Sequence, residues 1–222
     1  MSFFDNQNNK VSVKICGITQ GDQARQIIAL GADAIGINFW PQSKRHIDFD
    51  QARPWLDDLD GAATRIGVFV NADSDEVARI LASGAIDCAQ LHGDESPETV
   101  DALLQQGLSV YKALGIKDAN ALDSIASYPG EAILLDAYAP REYGGTGEAF
   151  DWNLGQMAVE RFSDTKKIIL AGGLVPGNVA EAIHQVAPFA VDTASGVESG
   201  TPGIKDLDKV RQFIEAAKTQ QN

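Results

Sequence analysis

The chain alternates short apolar runs with amphipathic stretches from end to end. Runs at 11–16, 34–39, 65–70, 88–92, 109–113, 132–136, 167–171 and 190–194 are continuous and rich in β-branched residues. Such runs read as strands buried on both faces, the pattern of a parallel sheet. Between them, 22–30 sets Ala24, Ile27 and Ile28 at helical spacing, and 74–82 does the same with Val77, Ile80 and Leu81. Ser74 reads as an N-cap, Ser96 as the cap of a helix with Pro97 in its first turn, and Pro176 suits the first turn of another. Gly31, Gly84 and Gly107 stand at helix exits, and a last helix spans 206–218.

Eight strands alternating with eight helical segments predict an α/β chain folded as a single (β/α)8 barrel, a TIM barrel, over residues 1–222. Residues 1–10 read as a polar N-terminal arm and 219–222 as a frayed tail. The alternative is a doubly wound open sheet, which usually carries Gly-x-Gly-x-x-Gly after its first strand. Cys16-Gly17-Ile18-Thr19 does not match that turn. The longest irregular stretch, 137–151, holds Gly144-Gly145-Thr146-Gly147 and reads either as a lid or as a plain surface excursion.

In a barrel, the loops after the strands share one rim, and active sites sit there. Cys16, His92 and Asp136 close the first, fourth and sixth runs, and Asp192 lies within the last. Cys16 is either a packing residue or a reactive thiol. Lys14, two residues back on the same strand face, would favour its thiolate. Cys88 lies inside its strand and reads as packing. Asp136 follows Ile133-Leu134-Leu135, so its carboxyl is either functional or tied up by hydrogen bonds. His92 either orients a substrate or caps its strand. Arg45 is either a solvated surface cation or a carboxylate clamp. The turns Gly172-Gly173 and Ser195-Gly196, after the seventh and eighth runs, fall where barrels often bind phosphate through backbone N–H groups.

Composition narrows the partners. A net charge of −13 opposes binding to nucleic acid or anionic membranes. No apolar run approaches the ~18 residues of a membrane helix, and residues 1–10 lack the layout of a signal peptide, so the reading is cytoplasmic. With two cysteines far apart, neither a disulfide scaffold nor a cysteine-type zinc site is expected.

Together these segments resemble the phosphoribosylanthranilate isomerase family. The resemblance is carried by Lys14-Ile15-Cys16-Gly17-Ile18-Thr19, Phe39-Trp40-Pro41-Gln42-Ser43-Lys44-Arg45, Gln90-Leu91-His92-Gly93 and Leu134-Leu135-Asp136. It continues through Gly144-Gly145-Thr146-Gly147, Leu170-Ala171-Gly172-Gly173-Leu174 and Ser195-Gly196-Val197-Glu198, in the family's order. The resemblance implies an Amadori rearrangement of N-(5-phosphoribosyl)anthranilate in tryptophan biosynthesis, without a cofactor or metal. It casts Cys16 as general base and Asp136 as general acid. It places Arg45 on the anthranilate carboxylate and Asp192 on the anthranilate side; Lys14 and His92 are read beside them as substrate-binding residues. Gly172, Gly173, Ser195 and Gly196 become the phosphate site. The expected partner is a small phosphosugar, and the chain is expected to be a monomer or homodimer. The alternatives are a Schiff-base aldolase using Lys112, a metal-dependent epimerase and a phosphosugar-binding barrel without chemistry.

Overall fold

The computed structural model describes residues 3–4, 10–138 and 149–219. Eight parallel strands close into a barrel in sequence order: β1 Ser12–Cys16, β2 Ala34–Asn38, β3 Thr64–Phe69, β4 Cys88–Leu91, β5 Val110–Ile116, β6 Ala132–Ala137, β7 Lys167–Leu170 and β8 Ala190–Thr193. Each expected strand is present, shifted by a residue or so at the ends except at β5, which runs three residues further. Around them lie α1 Gly21–Ala29, α2 Phe49–Asp57, α3 Ser74–Ala82, α4 Pro97–Gln105, α5 Trp152–Phe162, α6 Val179–Val186 and α7 Leu207–Thr219. The crossover between β5 and β6 is a 3-10 helix, Ala119–Ser127, whose Asp118 carboxylate accepts from the N–H groups of Asn120 and Ala121. A second short 3-10 turn, Ser195–Val197, follows β8.

Two expected helix starts move. Asp73, not Ser74, caps α3, accepting the Asp75 N–H at 2.8 Å. A carboxylate serves a helix N-terminus as well as a hydroxyl does, and adds charge complementary to the dipole. Pro176 lies in the turn before α6, which begins at Val179 with Asn178 as its N-cap residue. Ser96 and Pro97 take their expected places, with Ser96 Oγ accepting from Thr99 N–H at 3.3 Å.

The core divides as strand alternation requires. Val13, Ile15, Ile35, Ile37, Leu91, Ile133, Leu135, Leu170 and Val191 pack outward against the helices. Ala34, Ile66, Cys88, Tyr111, Ala113, Leu134, Ile169 and Ala190 pack inside the barrel. Phe3 joins this inner group at 1% exposure, and its N–H donates to Thr64 Oγ1 at 2.8 Å. The expected polar arm therefore contributes an apolar anchor. Its ring meets Phe4 and Phe189 edge to face. Glycine fits the barrel wall at Gly36, where a Cβ would stand 2.6 Å from Cys16 Sγ. The Gly144-Gly145-Thr146-Gly147 segment of the expected lid lies outside the described residues.

Candidate active site

Period-two alternation puts Lys14 and Cys16 on the inner face of β1, Gln90 and His92 on that of β4 and its extension, Asp136 on β6 and Asp192 on β8. Their strands end at one rim, around a cavity of about 240 Å³. Cys16, Arg45, His92, Asp136, Gly172, Gly173, Asp192 and Ser195 all line it. Lys14 and Gly196 do not. Lys14 lies beneath the floor, fully buried, and Gly196 is packed so closely on the Leu174 carbonyl that no side chain fits there.

Lys14 is the electrostatic centre of that floor. Its Nζ lies 3.1 Å from Asp192 Oδ1 and donates to Gln90 Oε1 at 2.9 Å. Oδ1 is buried, and the Lys14 ion pair is the contact that offsets its charge. Burial pushes the Asp192 carboxyl above its ordinary range, although Lys14 pulls the other way. The expectation that Lys14 would give Cys16 a depressed pKa is corrected. Burial pushes the Cys16 thiol up, and Lys14 and Lys205 only partly offset it. Cys88, deep inside the barrel, is pushed to about 12 by the same cause.

Asp136 Oδ1 accepts the Ala137 N–H at 2.8 Å, and Oδ2 faces His92 Nε2 at 3.5 Å. Gly172 closes against this carboxyl: a Cβ there would lie 2.9 Å from Ala137 N and 3.1 Å from Asp136 Oδ1. Gly172 and Gly173 have φ of 81° and 67°, a conformation glycine adopts without strain. Among the described residues, neither N–H donates to a protein acceptor. Backbone donors of this kind at strand ends suit an anion.

Arg45, in the loop after β2, arches over Gly17 to reach Glu198 after β8. Its Nε and Nη2 donate to Oε1 and Oε2 at 2.7 and 2.9 Å. Glu198 also accepts from Gly203 N–H at 2.8 Å and Lys205 Nζ at 3.1 Å. The guanidinium is therefore neither a free surface cation nor an unheld clamp. Glu198, Gln90 and Lys205 were not singled out from the sequence. Only strand register and loop closure bring them to these partners.

Lys112 takes no part. It lies on the outer face of β5, where its Nζ donates to the Leu91, Gly93 and Ala113 carbonyls and pairs with Glu95 at 3.3 Å. It does not line the cavity. Among the described residues, no group of three or more His, Cys, Asp or Glu is placed to hold a metal.

Fold and cavity define a class: a (β/α)8 enzyme with a thiol, a carboxyl and glycine-built turns at the C-terminal rim of its strands. The family model for N-(5'-phosphoribosyl)anthranilate isomerase matches residues 13–216, and the chain belongs to that family. An isomerase of this name from Trichlorobacter lovleyi is 44% identical over 208 residues, covering 94% of this chain and 98% of that protein. The crystal structure of phosphoribosyl anthranilate isomerase from Thermotoga maritima superposes with a TM-score of 0.83 at 37% identity, covering 94% of this chain and 99% of the other. A complex of such an isomerase with reduced 1-(o-carboxyphenylamino)-1-deoxyribulose 5-phosphate reaches 0.82 at 35% identity, over 94% and 99% of the two chains. Among the described residues, no helix is long and apolar enough to cross a membrane.

Proposed function

We propose that this chain converts N-(5'-phosphoribosyl)anthranilate to 1-(2-carboxyphenylamino)-1-deoxyribulose 5-phosphate as an isomerase of tryptophan biosynthesis. The observation that carries the reading is a shared cavity. A thiol from β1 and a carboxyl from β6, far apart around the barrel, line one space with the glycine turns after β7 and β8.

The chemistry follows from that placement. Asp136 donates a proton to the furanose ring oxygen, and ring opening leaves a Schiff base at the anthranilate nitrogen. The C2' hydrogen becomes acidic, and Cys16 removes it as thiolate. The resulting enolamine tautomerises to the ketone. Acid and base steps of this kind each contribute ~100- to 10,000-fold. Gly172, Gly173 and the Ser195–Gly196 turn hold the phosphate, with Ser195 on the cavity wall and Gly196 setting the turn behind it. Arg45, steadied by Glu198, meets the anthranilate carboxylate. Asp192, on the cavity wall, accepts the anilino N–H, and Lys14 holds it in place through its buried Oδ1. His92 contacts the sugar beside Asp136. Burial holds the Cys16 thiol above its ordinary range, so the thiolate, and turnover with it, should grow as pH rises.

The chain is read as a single barrel domain of a cytoplasmic enzyme. A related structure, of mutually generated monomers of a dimeric phosphoribosylanthranilate isomerase from Thermotoga maritima, matches at 36% identity and a TM-score of 0.81 over 94% of this chain and 99% of that one. Both assembly states are open to this chain.

The test uses freshly prepared phosphoribosylanthranilate and the loss of anthranilate fluorescence. Wild-type protein consumes it, while Cys16→Ala and Asp136→Asn bind a reduced product analogue without turnover. Near-normal turnover in either variant removes that residue from the mechanism. No turnover by the wild type leaves a phosphosugar-binding barrel.

A further inference from the structure

Gln90, almost fully buried on β4, forms part of the cavity floor and has not been given a role. Its amide oxygen accepts from Lys14 Nζ at 2.9 Å and from the Tyr111 hydroxyl at 2.7 Å. An ammonium has donors only, so the amide atom facing Lys14 is the oxygen, and the amide cannot be flipped. The other end, Nε2, lies 2.9 Å from His92 Nδ1. An amide nitrogen donates and does not accept. Nδ1 must therefore be the acceptor, and the proton of the neutral ring lies on Nε2. That N–H is the atom facing Asp136 Oδ2 at 3.5 Å.

We propose that Gln90 is a positioning residue that locks His92 in its Nε2–H tautomer and so aims a donor at the carboxyl of Asp136. The chain Lys14–Gln90–His92–Asp136 crosses the barrel interior from β1 through β4 to β6. Asp136 then has each oxygen assigned: Oδ1 to the Ala137 N–H, Oδ2 to His92. Its carboxyl plane is held while it gives up and regains a proton. Lys14, at the other end of the chain, also lowers the cost of ionising Cys16, so the two catalytic groups share one buried scaffold. Tyr111 serves the same lock by donating the second hydrogen bond to the amide oxygen. The kinetic part rests on the reading of Asp136 as general acid. The tautomer does not.

The experiment has two arms. In protein labelled with 15N-histidine, His92 is assigned among His46, His92 and His184 by loss of its signals in His92→Asn. Wild-type His92 should show a bare Nδ1 and a protonated Nε2. Gln90→Glu keeps acceptors for Lys14 and Tyr111 but presents an acceptor to Nδ1, so the proton should move to Nδ1. In the second arm, Gln90→Glu should lose up to ~100-fold in kcat, the cost of misplacing a group at the reacting centre by ~1 Å, with KM little changed. Tyr111→Phe, a milder change, should show a smaller loss in the same direction with the fold intact. A wild-type Nδ1–H signal, or one unchanged in Gln90→Glu, overturns the lock whatever the chemistry. A tautomer that switches without loss of kcat, or a rise in KM alone, overturns its catalytic role. The expected tautomer in a wild type that does not consume the substrate faults the functional reading and not the lock.

Discussion

Gly36 offers a direct test of how tightly the base is placed. It lies opposite Cys16 in the β1–β2 ladder. An added Cβ would lie 2.6 Å from Cys16 Sγ, 3.1 Å from its Cα and 3.2 Å from its Cβ. The backbone has little freedom to yield. Both Gly17 N–H and Ile18 N–H donate to the Gly36 carbonyl at 2.9 Å. The side chain must move instead. Restoring an ordinary 3.4 Å separation displaces the sulfur by about 0.8 Å. Overpacking of this sort costs about 1–3 kcal/mol, against a total stability of roughly 5–15 kcal/mol for a domain, so Gly36→Ala should fold. Misplacing a reacting group by ~1 Å can cost ~100-fold, so kcat should fall ~10- to 100-fold.

The control is Gly115→Ala. Gly115 lies opposite Asp136 in the β5–β6 ladder, yet a Cβ there would make only ordinary contacts, with Tyr138 at 3.5 Å and the Ala137 carbonyl oxygen at 3.9 Å. The assay is the decay of anthranilate fluorescence at saturating substrate, with thermal unfolding run in parallel. Gly36→Ala should lose kcat with KM nearly held and only a modest drop in Tm, while Gly115→Ala should resemble wild type. Undiminished kcat in Gly36→Ala would refute the view that sulfur placement limits the reaction. Equal losses in both variants would show that strand glycines matter only for packing.

Arg45→Ala removes charge-assisted hydrogen bonds worth ~1.5–3 kcal/mol, so KM should rise ~10- to 100-fold with kcat nearly held; an unchanged KM would exclude the clamp. The Glu198 carboxyl is held below its ordinary range, because bonds from Arg45 and Gly203 with the nearby Lys205 outweigh the opposing effect of burial. A depressed folded-state value stabilises fully above the unfolded value, about 4.3 for Glu, and the benefit is lost as pH falls through the folded value. Urea unfolding of the wild type should therefore weaken with acid in that window while Glu198→Gln stays flatter; parallel curves would count against a stabilising role for the Arg45–Glu198 pair. Phe3→Ala empties the inner end of the barrel and should cost about 3–5 kcal/mol in urea unfolding. A loss within the roughly ±0.5 kcal/mol of a surface change would show that Phe3 does not anchor the barrel.

The barrel was legible because a parallel strand buried on both faces leaves an unbroken apolar run, and nothing else in this chain imitates one. The rim residues were legible for a related reason. A thiol, an imidazole or a carboxyl at the end of such a run is conspicuous against its neighbours, as Asp136 is after Leu134-Leu135. Cap identity was less so, since Asp73 and Ser74 are adjacent and both suit an N-terminus. Phe3 escaped because two aromatic residues among Asn and Gln carry no period, and only the open end of a closed barrel gives them a place. The electrostatics were misjudged at Cys16 because proximity to Lys14 shows in the sequence and burial does not. Arg45 and Glu198 stand 153 residues apart, so their pairing exists only once β2 and β8 flank β1. Gln90 shows where spacing stops short. Alternation along Cys88, Gln90 and His92 sets the amide and the imidazole on one face. Which way the amide points depends on Lys14 and Tyr111, which arrive from β1 and β5. The chemistry of a strand end can be read along one strand, but the orientation of its donors belongs to the register among several.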